Sequence, residues 1–107
     1  MKSMEEIKHL QRAEFESVMR SGKDLILFFY NKEGDAASTL GAETMKEINS
    51  LVGKSFDLYL VDVLAEPDIV AAFSVKNVPE YISMKRTKIF KRSSDLLCAS
   101  EVLALLK

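Results

Sequence analysis

The chain has 107 residues, of which 48% are hydrophobic and 29% charged, with a formal net charge of −1. That length suits one domain able to bury a core without cross-links, and the composition excludes a disordered chain. Its single cysteine, Cys98, excludes an intrachain disulfide and a cysteine-built zinc site and fits a reducing compartment.

The first fifteen residues, MKSMEEIKHLQRAEF, are charged throughout and lack the apolar core of a signal peptide. IKHLQ (7–11) alternates and predicts a short edge strand. In RAEFESVMRSG (12–22), Phe15, Val18 and Met19 recur at helical intervals and Gly22 is the stop. DLILFFY (24–30) is apolar on both faces, as a central strand covered on two sides must be. It is far short of the roughly 18–20 apolar residues of a membrane span, so a cytoplasmic protein with no membrane partner is expected.

From Asp35 the period changes to that of a helix, with Leu40, Met45, Ile48, Leu51 and Val52 as its stripe and Gly53 as its end. FDLYLVDV (56–63) predicts a second buried strand. AEPDIVAAFSV (65–75) predicts a short helix, with Pro67 in the first turn and Ile69, Val70 and Phe73 inward. EYISMKR (80–86) and KIFKR (88–92) predict two strands joined by a tight turn. That turn lacks the glycine or asparagine such turns favour. CASEVLALLK (98–107) closes the chain as an amphipathic helix. The order β-α-β-α-β-α-β-β-α predicts one α/β domain, a mixed sheet with helices on both faces and the two buried strands as parallel neighbours.

Charge is uneven along the chain. KRTKIFKR (85–92) has five basic residues, Lys85, Arg86, Lys88, Lys91 and Arg92, against 10 basic and 16 acidic residues in the remainder. Such a strip suits an acidic partner or a nucleic acid, with Phe90 for stacking. The plainer reading is a sheet edge whose lysines block edge-to-edge pairing. His9 has no second histidine near it, and the chain has no glycine-rich phosphate loop. Tyr30 and Tyr81 are read as packing residues.

These landmarks resemble the thioredoxin family over essentially the whole chain. LFFYNKEG resembles the family's central strand and its exit, V-D-F-W-A-x-W. GKSFDLYLVDVLAEPDIVAAFSVKNVPE is similar, without a gap, to G-K-L-x-V-x-K-x-N-x-D-x-x-P…A-x-x-Y-x-I-x-x-x-P-T. Val78-Pro79 falls at the family's cis-proline, and LLCASEVLALLK resembles its closing helix. The resemblance implies a thioredoxin-like three-layer sandwich. With one extra residue before Asp35, DAAS (Asp35, Ala36, Ala37, Ser38) overlies the family's C-G-P-C, so Asp35 replaces the attacking cysteine and Ser38 the resolving one.

Neither replacement can carry disulfide exchange, which needs an attacking thiolate and a second thiol. Asp35 instead suits a helix N-cap. Other accessories differ as well. Phe28 stands where the family has a buried acid, Leu60 where it has a lysine, Glu33-Gly34 near its tryptophan, and Glu43 where a proline kinks the helix. The resemblance places Glu33, Gly34, Asp35, Ala36, Val78, Pro79, Glu80 and Asp95 around the family's peptide groove. Asp95 takes the position of a glycine there and narrows the groove. The implied function is a redox-inactive module binding a protein or peptide through that groove, without cofactor, metal or small-molecule substrate. Two alternatives stay open: a single-thiol oxidoreductase using Cys98, placed by the resemblance at the N-terminal edge of the last helix, and a basic-hairpin binder of an acidic partner or nucleic acid. Nucleic acid is the less expected of these partners.

Overall fold

Leu25–Tyr30 (β2) is buried at all six positions, and the chain is built around it. The computed structural model describes residues 7–31, 36–51 and 55–107, with the side chains of 36–39 left aside. The elements in chain order are β1 (Lys8–His9), α1 (Arg12–Arg20), β2, α2 (Ala36–Asn49), β3 (Asp57–Asp62), α3 (Pro67–Ala72), β4 (Glu80–Lys85), β5 (Lys88–Ser93) and α4 (Ala99–Ala104). One five-stranded sheet runs β1-β3-β2-β4-β5. β1 and β2 flank β3 in parallel, β4 runs antiparallel to β2, and β5 returns antiparallel to β4.

Alternation along β2 sends side chains to two separate cores. On one face Ile26, Phe28 and Tyr30 pack with Met45 and Ile48 of α2, Val102 of α4 and Leu105 at its end. On the other, Leu25, Leu27 and Phe29 pack with Ile69 and Phe73 by α3, while Phe15, Val18 and Met19 of α1 pack against them. Burying one such side chain is worth about 1.5–3 kcal/mol, so a strand that serves both layers must be apolar throughout.

The helix stripe expected from the sequence is corrected at two positions. The ridge of α2 that enters the core is Gly41, Met45 and Ile48, so Leu40 lies one residue round the helix and is 54% exposed. Leu51 follows the end of the helix at Asn49 and is 45% exposed. Val52 and Gly53 lie outside the described residues.

The β4–β5 connection is a two-residue turn in which Arg86 and Thr87 both take positive φ, 54° and 71°. The twist of a hairpin selects such a turn even without its preferred residues. The Thr87 hydroxyl also donates to the Met19 carbonyl at 2.7 Å, tying the turn to the last helical turn of α1. Further along, the pairing shifts between Ser83 and Met84, and Phe90 becomes the extra residue of a bulge. The buried Ser83 hydroxyl repairs this irregularity. It accepts the Lys91 N–H at 3.1 Å and donates to the Leu105 carbonyl at 2.7 Å.

Candidate functional site

Strand directions bring Val78, Pro79, Asp95 and Cys98 to one end of the sheet and the turn of the basic hairpin to the other. α2 begins at Ala36, shortly after β2 ends at Tyr30. Glu80, the first residue of β4, is paired with Phe29, so Val78 and Pro79 lie beside the end of β2. Ser93, the last residue of β5, is paired with Tyr81, so Asp95 and Cys98 follow at the same end. Glu33, Gly34 and Asp35 lie outside the described residues. Ala36, Ala37 and Ser38 form the first turn of α2.

The Val78–Pro79 peptide bond is cis, Val78 is half-buried and Pro79 buried. Asp95 is exposed, and its backbone N–H donates to the Ser93 hydroxyl at 3.2 Å.

Beneath α2 the core is aromatic. The Phe28 and Tyr81 rings are 4.8 Å apart and the Phe28 and Tyr30 rings 5.9 Å apart. A Cβ built on Gly41 would lie 2.2 Å from Cζ of Phe28, so the ring occupies the space that any side chain at 41 would need. Leu60, also buried, belongs to the same cluster. Phe28 and Leu60 therefore both contribute hydrocarbon to the core on this face of the sheet.

Tyr30 and Tyr81 are buried, and each keeps a polar contact at its hydroxyl, as buried phenols usually do. His9 Nε2 is 2.6 Å from the Tyr30 hydroxyl. The Tyr81 hydroxyl accepts the Leu97 N–H at 3.5 Å. Burial pushes the Tyr30 phenol above its ordinary value, and Asp62 adds to the shift. Burial also pushes Tyr81 up, with the Leu97 N–H working against it. Both rings belong to the core cluster beneath α2.

Glu80 is buried and pairs with Arg92, whose guanidinium also donates to the Phe73 carbonyl at 3.1 Å. Arg92 is therefore directed at Glu80 and α3 and does not join an open basic strip. Phe90 is likewise engaged, because Lys85 Nζ lies 4.4 Å and Lys91 Nζ 5.3 Å from its ring centroid. A ring already facing two cations is poorly placed to stack on a base. Arg86 in the turn and Lys88 and Lys91 of β5 are exposed, and Lys85 is half-buried.

Cys98 is exposed and forms the N-cap of α4. Its backbone N–H donates to the Glu101 carboxylate at 2.9 Å, and its sulfur is 3.3 Å from the Ser100 hydroxyl. The Cys98 N–H holds the Glu101 carboxyl below its ordinary value, with the Cys98 side chain contributing in the same direction. The thiol thus serves a capping box whose charged member is a carboxylate.

Beside Cys98, a shallow depression of about 610 Å³ runs between α2 and the approach to α4, with Leu40 and Leu96 on its surface. The periodicity of the sequence did not disclose it, because its two walls are far apart in the chain. Among the described residues, no three His, Cys, Asp or Glu side chains gather as a metal site, and no helix is long and apolar enough to cross a membrane.

No protein-family model matches the chain, and no curated protein does. Solved structures do. A mutant thioredoxin from Halobacterium salinarum NRC-1 superposes with a TM-score of 0.79 at 13% identity, covering 98% of this chain and 91% of that one. Thioredoxin-2, described as a component of malaria parasite protein secretion machinery, gives 0.71 at 25% identity, covering 78% of this chain and 81% of that one. A designed protein gives 0.78 at 16% identity, covering 94% of this chain and 95% of that one. The fold is thioredoxin-like.

Proposed function

We propose that this thioredoxin-like chain is a non-catalytic module that binds a protein or peptide at the end of the sheet where the family performs disulfide exchange. The observation that carries the reading is the Phe28 ring packed against Gly41 beneath α2, where the family keeps a buried proton acceptor. Aligned with the family's two cysteines, Asp35 and Ser38 supply no thiolate and no resolving thiol. In this reading an extended segment runs along Val78, beside Pro79, by main-chain hydrogen bonds. Glu33, Gly34, Asp35, Ala36 and Asp95 form the rest of the groove. No cofactor, metal or small-molecule substrate is required, and the cytoplasm is the proposed compartment.

The exposed Cys98 favours a second reading, a single-thiol enzyme. Reduction of insulin disulfides by dithiothreitol, followed with wild type and Cys98→Ser side by side, separates the two. Neither protein is expected to accelerate the reaction. Acceleration by wild type alone would overturn the non-catalytic reading and assign the chemistry to Cys98. Acceleration by both would overturn it without that thiol.

A further inference from the structure

The depression beside α2 combines two kinds of group. Leu40, Glu43, Thr44 and Glu47 lie at helical intervals of three, four and seven, so they form one ridge of α2. Leu96, Leu97, Cys98 and Glu101 form the facing wall. Leu40 is 54% exposed and Leu96 46%, so two large apolar side chains are open to solvent on one surface. Around them stand the exposed carboxylates of Glu43, Glu47 and Glu101. Glu101 is committed to the α4 cap, and Glu43 meets Lys46 at 3.7 Å across solvent, a pairing worth little.

We infer that this surface docks a basic polypeptide segment of a partner protein, with two apolar side chains against Leu40 and Leu96 and lysines or arginines facing Glu43 and Glu47. Charge complementarity selects the sign of the partner, since among the described residues no basic side chain lines the depression. The apolar pair supplies the anchor that carries most of the affinity in such contacts. A second copy of this chain is the poorer occupant. Its own basic strip holds Phe90 beneath Lys85 and Lys91. Docking that strip into the depression would also be head-to-tail and would grow open chains. The surface makes no use of Val78, Pro79 or Asp95, so it goes beyond the groove proposed above.

The probe is a phage-displayed library of random dodecapeptides, selected on the folded full-length chain. Enriched peptides are expected to be net positive with two apolar residues. Their binding should weaken about tenfold or more in Glu43→Lys/Glu47→Lys, and also in Leu40→Ser. It should also fall between about 50 mM and about 300 mM salt. All three residues are solvent-exposed, and circular dichroism confirms that the variants fold. Neutral or acidic consensus peptides, or no enrichment, would overturn the inference. Binding insensitive to Glu43→Lys/Glu47→Lys but abolished by Val78→Asp would overturn it while supporting the groove. Self-association of wild type in sedimentation velocity that Glu43→Lys/Glu47→Lys abolishes would make a second copy the occupant and overturn the partner assigned here.

Discussion

Gly41 and Phe28 show what a single side chain decides. With a Cβ at 41 only 2.2 Å from the ring, either the phenyl group or α2 must move. Gly41→Ala is therefore expected to destabilise the fold by about 1–3 kcal/mol, read as a lower urea midpoint, although alanine favours helix. The apolar nature of Phe28 was visible in the sequence. The contact was not, because these residues are thirteen apart and share no periodic signal. Glu80 and Arg92 make the same point with charge. They lie on neighbouring strands, and only the β4–β5 register directs the guanidinium at the buried carboxylate. From sequence alone Arg92 belonged with the other basic residues of its segment.

At the scale of elements, the hairpin turn adopts a conformation its residues do not favour. Arg86 and Thr87 both take positive φ, where asparagine and glycine are the usual choices. Thr87 gains its bond to Met19 in return. Arg86→Asn is expected to stabilise the chain by about 0.5–1 kcal/mol. Thr87→Val, which keeps the branched shape but loses the hydroxyl, should cost about 0.5–1.5 kcal/mol. Thermal melts of the two variants should move in opposite directions. Among the helices, the sequence showed where α2 lies but not how it is turned. Leucine fits a core stripe or an exposed ridge equally well by spacing, and Leu40 took the ridge because Phe28 needed Gly41.

For the whole molecule, alternation of helix with strand and two strands too apolar for one covered face made the sheet and its layers legible. The candidate groove was legible only through resemblance to a family, because Val78, Pro79 and Asp95 come to one end of the sheet only when the strands align. One property of the assembled fold follows from its tyrosines. Burial is the leading reason that Tyr30, Tyr59 and Tyr81 all titrate above their ordinary value of 10.0. Their contribution is fully present below the unfolded value. As pH rises above it, the unfolded chain ionises first and stability falls. Urea midpoints should hold steady up to about pH 9 and drop by about pH 11, and the drop should be smaller in Tyr81→Phe.

The Ser83 hydroxyl serves two elements at once, accepting the Lys91 N–H of the bulged edge strand and donating its proton to the Leu105 carbonyl at the end of the closing helix. Opening either element costs the Ser83 hydroxyl, buried on β4, one of its partners, so the two are expected to open together. In deuterium exchange, the Lys91 amide should then be as slow as the amides of α4, although the residue lies on an outer strand. That result would make the last strand and the last helix one cooperative unit, which a bulge at the margin of a sheet would not by itself suggest.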